Sequence, residues 1–140
     1  MSLDNLVAIN RLQKHTATQD SILKLLAAAE RNLLDAQVDS ITAENRFDAA
    51  YKAIMQCAMA ALWAKGYRAP TNVPGHHATA IQSLPLTIGV AQTDVIVLDA
   101  LRKQRNLADY EGDSITDATL AECIKQARWL LGVTTQALKK

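Results

Sequence analysis

Aromatic side chains are scarce in this chain, with one phenylalanine, two tryptophans and three tyrosines in 140 residues. A core with so few rings must be built from Ala, Leu, Ile and Val, and Ala and Leu are strong helix formers. Cysteine is scarce too. Cys57 and Cys123 stand far apart in apolar segments, with no CxxC or Cys/His spacing. They read as buried free thiols, so neither a disulfide nor a cysteine metal site is expected. Charge is nearly balanced, 15 basic residues against 14 acidic, for a net charge of +1. No whole-molecule field then draws the protein to nucleic acid or to an anionic membrane, and any such contact must be local. Apolar runs are short as well. Asp4, Asn5, Asn10 and Arg11 interrupt the first fifteen residues, which excludes a signal-peptide pattern. No window approaches the roughly 18 apolar residues of a membrane span. The expected setting is cytoplasmic, with no membrane contact.

What is present is helical periodicity. The spacing of Leu3, Leu6, Val7, Ile9 and Leu12 predicts a short amphipathic helix over Leu3 to Lys14. A second helix is expected over Thr18 to Val38, on a stripe of Ile22, Leu25, Leu26, Ala29, Leu33 and Ala36. Thr42 is a suitable N-cap for a third, about Ala43 to Lys65. That helix ends in the run Cys57 to Ala64, which has no polar face and so must be surrounded by other helices or by a partner subunit. Gly66 then supplies a stop.

All three prolines fall between Tyr67 and Gly89, where only a short helix between Pro74 and Pro85 is expected. A longer helix runs from about Ala91 to near Ala108, followed by a turn over Glu111 to Ser114. The last helix starts at the N-cap Thr116, with Ile115 able to staple onto Leu120. It runs to about Leu138 on Leu120, Ile124, Ala127, Leu131, Thr134 and Leu138. No segment alternates with period two. The expectation is one all-α domain over residues 1–140, an up-and-down bundle of four to five main helices plus a short connecting helix.

Two features stand out from this scaffold. Arg105 lies four residues after Leu101 and seven after Leu98, on the line of the core-facing stripe. Either the stripe has reached the helix end, where a cation offsets the dipole, or the guanidinium has work to do. Arg102 and Lys103 lie beside it, and Asn106 follows. Asp109 and Tyr110 close the segment. An arginine beside an aromatic hydroxyl can grip a phosphate and stack on a base, although Asp109 can equally pair with Arg105 or Arg102. The second feature is Gly75-His76-His77, preceded by Tyr67 and Arg68. Adjacent helical histidines point about 100° apart and no third ligand follows, so no metal or other cofactor is expected. A histidine here can serve as acid, base or phosphate contact, or can simply be a helix-start residue satisfied by backbone.

The order of these features, Arg46-Phe47-Asp48-Ala49-Ala50-Tyr51, Lys65-Gly66-Tyr67-Arg68, Gly75-His76-His77 and then Arg102-x-x-Arg105-Asn106-x-x-Asp109-Tyr110, is similar to the HEPN superfamily over roughly residues 20 to 138. The resemblance implies a helical domain that dimerises, and a metal-independent ribonuclease activity found in many members. It also implies a toxin–antitoxin setting in which the antitoxin is a small nucleotidyltransferase. The family motif is an arginine, four to six residues, then a histidine. Here the arginine is Arg105, the polar residue after it is Asn106, and Tyr110 stands where a four-residue spacer would place the histidine.

On this resemblance the candidate catalytic residues are Arg105, Tyr110, His76 and His77. The candidates for nucleic-acid contact are Arg102, Asn106, Asp109 and Arg68. One reading is a binding module that takes RNA or a nucleotide in a basic cleft at a homodimer interface. The other is a ribonuclease in which His76 or His77 supplies the missing imidazole. Tyrosine, with a pKa near 10, is a poor base at neutral pH. A third reading, a structural bundle with no nucleic-acid partner, predicts RNA binding that does not respond to salt.

Overall fold

A computed structural model describes residues 1–139 and is an all-α helical bundle. The elements in chain order are α1 (Leu3–Ala8), β1 (Gln13–Lys14), α2 (Gln19–Asp35), α3 (Ala43–Ala64), β2 (Tyr67–Arg68), α4 (His76–Gln82), α5 (Leu84–Thr87), α6 (Gln92–Glu111) and α7 (Asp117–Leu138). Three of the four long helices, α2, α3 and α7, begin where a hydroxyl caps them, whereas α6 starts at Ala91 without a side-chain cap. Thr18 accepts from the Ser21 N–H at 3.0 Å, Thr42 from Asn45 at 3.4 Å and Thr116 from Thr119 at 3.1 Å. Each satisfies one amide that the first turn leaves without a partner.

The central helix is α3, packed mainly between α2 and α7. Phe47, Ala50, Tyr51, Ala53, Ile54, Ala58, Ala60 and Ala61 are all buried along it. Small side chains on so many of its faces let neighbouring axes approach closely, which is how a chain poor in rings closes its core. Cys57, Ala58, Ala60, Ala61 and Leu62 are no more than 1% exposed. The protein's own helices therefore cover the middle of the apolar run, and it needs no partner subunit there. Cys57 and Cys123 are free and buried, and burial pushes both thiols up to about 12. They are packing groups, far from the thiolate form that reacts.

Three expectations are corrected. The first helix stops at Ala8 instead of continuing to Lys14. Asn10 adopts φ 64°, and the Arg11 and Leu12 amides both fold back to donate to the Leu6 carbonyl. That turn delivers Leu12 into the core at 2% exposure. Gln13 and Lys14 then pair antiparallel with Arg68 and Tyr67, so the first two residues after Gly66 form a short strand, while residues 69–75 are irregular. Tyr67 fixes the corner: its hydroxyl donates to Asp4 at 2.6 Å, while Lys14 donates to the same carboxylate at 3.2 Å.

The second correction concerns α6, which continues through Glu111 and closes on Gly112 at φ 73°. Only glycine takes that left-handed cap without steric cost. The third concerns the inner face of α7. Leu120, Ala127 and Thr134 are buried as the stripe predicts, but Cys123 and Leu130 are fully buried while Ile124 and Leu131 are half-buried, so the inner face is turned by less than one residue toward Cys123 and Leu130. Ile115 and Leu120 are both buried at its start, as a hydrophobic staple places them. The short helix α4 follows Gly75, and α5 carries Pro85 in its first turn, where a missing N–H does no harm.

Candidate functional site

The polar residues singled out on α4 and α6 meet over one buried ring on α3. Tyr51 is 2% exposed, and a buried hydroxyl must find a partner. It lies 3.1 Å from Nδ1 of His77. Burial raises the Tyr51 pKa further above its ordinary value, so the phenol keeps its proton and donates, and Nδ1 of His77 accepts. Burial also lowers the His77 pKa to about 4, helped by His76, Arg105 and Arg102. At neutral pH the imidazole is therefore uncharged, with Nε2 carrying the proton. The His76 ring stands edge-on to that of His77 at 4.5 Å.

Arg105 lies over the same tyrosine, its guanidinium carbon 5.7 Å from the ring centroid, within cation–π range. Six helical residues follow it in α6, which removes the helix-end explanation for its place on the stripe. Its Nε is 2.8 Å from Asp109 Oδ2 and 3.8 Å from Asp48 Oδ1. The Nε–H is nevertheless buried and makes no hydrogen bond, because the nearer oxygen lies off the N–H axis. The contact with Asp109 is thus an attraction of charges without the directional bond.

Arg102 donates from Nε to Asp99 at 2.7 Å, with both side chains about one-fifth exposed, and Lys103 lies 3.6 Å from the same carboxylate. The hydrogen bond from Arg102 holds the Asp99 carboxyl below the usual range. Three cations, Arg102, Lys103 and Arg105, accordingly face three carboxylates, Asp99, Asp109 and Asp48. An incoming anion competes with these carboxylates for the two guanidinium groups.

The expected site residues are distributed unevenly. His77, Arg102, Arg105 and Asp109 belong to this cluster, and His76 packs on it. Asn106 is half-buried on the same helix and makes no side-chain hydrogen bond among the described residues. Tyr110 is 78% exposed and its hydroxyl has no hydrogen-bond partner among those residues. The aromatic hydroxyl beside Arg105 comes from Tyr51. Arg68 lies elsewhere, lining a separate cavity with Met59 and Trp63 near the other end of α3. Met59 is eight residues beyond Tyr51, which is roughly 12 Å along a helix.

Sequence reasoning missed Tyr51, Asp48 and Asp99. Tyr51 carried a readable signal: a tyrosine on the apolar stripe of α3 has a hydroxyl that must be satisfied inside. The two carboxylates carried none, because exposed-face acids are ordinary on helices. Among the described residues no group of three or more His, Cys, Asp or Glu side chains is arranged to hold a metal ion, and no helix is long and apolar enough to cross a membrane. No protein-family model matches the chain, and no curated protein matches it.

Proposed function

We propose that this protein is a HEPN-like domain that binds RNA or a nucleotide through Arg105 and Arg102, with His77 as a neutral hydrogen-bonding group beside them. The observation that carries this reading is the meeting of Arg105 and His77 over the Tyr51 ring, three groups from three helices. The Arg105 Nε is closed off from solvent beside Asp109, so a phosphate oxygen would approach the remaining N–H groups of this part-exposed guanidinium. The neutral imidazole offers its Nε2–H to the same ligand. Asp109 acts as a placeholder for the anion and swings away on binding.

The test is binding of a short single-stranded RNA, followed by fluorescence anisotropy across a salt series. Affinity should fall as salt rises, and Arg105→Ala should weaken binding by about tenfold or more, while Lys24→Ala on α2 leaves it unchanged. Binding indifferent to both salt and Arg105 would remove the proposal.

A ribonuclease reading is favoured by one observation of its own: the imidazole beside Arg105 is His77, so an Arg–His pair exists although Tyr110 occupies the motif position. Against efficient acid–base work in the free protein stands the low pKa of His77, since a catalytic base works best near the operating pH. Cleavage of RNA in the presence of EDTA, lost in both Arg105→Ala and His77→Ala, would establish the enzyme. A homodimer belongs to the same proposal because the resemblance implies one; the exposed residues Ile96, Leu107 and Tyr110 lie on the side of α6 away from Arg105 and offer a surface separate from the site. These residues are 61%, 37% and 78% exposed on the outer face of α6. The resemblance adds a cytoplasmic toxin–antitoxin or stress-defence setting, with a nucleotidyltransferase-type antitoxin as partner.

A further inference from the structure

Arg68 and its surroundings remain unused by that reading. The turn at Asn10 that ends α1 and the loop that follows β2 leave a cavity of about 700 Å³ between them. Its floor is apolar, made by Leu12 together with Met59, Leu62 and Trp63 from the last turns of α3. Trp63 is half-buried, and His15 packs on it at 5.0 Å, so the indole is braced. The rim is polar: Asn10, Gln13, Arg68, Thr71 and Asn72.

Arg68 differs from the other arginines discussed above. Arg46, Arg102 and Arg105 each face a carboxylate. Arg68 instead faces a neutral partner across the strand pair. With the Gln13 amide oxygen turned toward it, its Nε and Nη2 donate to that oxygen at 3.1 and 3.2 Å. The amide orients the guanidinium without cancelling its charge. Among the described residues no Asp or Glu lines the cavity, and no second cation does.

We propose that this cavity binds a small organic monocarboxylate with a flat ring, its carboxylate on Arg68 and its ring against Trp63. A single oriented guanidinium matches one carboxylate in charge and in its fork geometry. A phosphate dianion would call for a second cation that the lining does not supply. A floor of Trp, Met and Leu beneath a few convergent polar groups is the general make-up of a small-molecule site. The amides of Asn10 and Asn72 on the rim can meet polar substituents of the ring.

The test uses the full chain labelled with ¹⁵N, 2-naphthoate as probe and neutral 2-naphthamide as its control. The two tryptophan indole N–H signals are told apart with Trp129→Phe. Naphthoate should shift the Trp63 indole signal and the backbone amides around Asn72 saturably. Arg68→Gln, at an exposed position, should weaken binding by about tenfold, and so should replacing the acid by the amide. Arg105→Ala should leave naphthoate binding unchanged, which separates this site from the RNA site. Absence of a saturable shift at millimolar probe would overturn the proposal. So would an amide that binds as tightly as the acid, or an Arg68→Gln variant that binds as tightly as the unaltered protein.

Discussion

The two halves of α3 hold their neighbours by different physics. Around its C-terminal half, alanines, Cys57 and Leu62 pack against α2 and α7 with almost no polar atom inside. Around its N-terminal half, one side is equally apolar, but the side facing α4 and α6 carries Tyr51, His77 and Arg105. Apolar packing is non-directional and tolerates replacement of similar volume. A buried hydroxyl and the neutral imidazole it bonds tolerate little, because each is satisfied only in one arrangement. The first region is closed by packing alone, and the second is where the proposed anion would meet the protein.

The largest effect is expected on the apolar side of the N-terminal half of α3. Phe47 is 1% exposed, and Phe47→Ala should cost about 3–5 kcal/mol by chemical denaturation. A loss under 1 kcal/mol would mean that the ring is not a core element. In the polar region Tyr51→Phe keeps the ring and removes the hydroxyl. It should cost about 1 kcal/mol, smaller than the core truncation, and should leave the cation–π contact with Arg105 in place.

A third difference is pH. The His77 pKa is lowered from 6.5 to about 4, first by burial and then by neighbouring charge. Over that window the unfolded chain binds more protons than the folded one. The contribution of His77 to stability is therefore fully present above about pH 6.5 and is lost as pH falls toward 4. His77→Gln should flatten that decline in a urea-denaturation series, whereas Phe47→Ala should lower the whole curve without changing its slope.

The smallest expected effect lies in the packed half. Thr134 Oγ1 is fully buried with no hydrogen-bond partner beyond a weak contact with the Cys57 thiol. Replacing that hydroxyl by a methyl group in Thr134→Val should be neutral or stabilising by up to about 1 kcal/mol. A clear destabilisation would show that the hydroxyl has a bond it cannot spare.

The same division explains what could be read in advance. The α2 stripe and the caps at Thr42 and Thr116 follow from local periodicity and local hydrogen bonding, so neighbours in sequence carry the information. Leu12 misled because it continues the spacing of Leu3 and Leu6. Nothing in that spacing reveals that Asn10 turns the chain before it. A two-residue strand is too short to show alternation, so the pairing of Gln13 with Arg68 was invisible. The position of Arg105 on a core-facing line was legible, and so was the alternative that Asp109 would pair with it. The hydrogen bond of Tyr51 to His77 spans 26 residues. It depends on how α4 is laid across α3, which no local pattern encodes. Tyr110 drew notice by its place in a motif, while the ring that matters to Arg105 came from another helix.

The most direct measurement is an NMR titration of the His77 imidazole, alone and with a saturating short RNA. In the free protein the midpoint should lie near 4, because burial, His76, Arg105 and Arg102 disfavour the charged form. With RNA bound it should rise, since a phosphate offsets the two arginines. A midpoint at the ordinary value near 6.5, unmoved by RNA, would contradict both the buried Tyr51–His77–Arg105 junction and its role in binding.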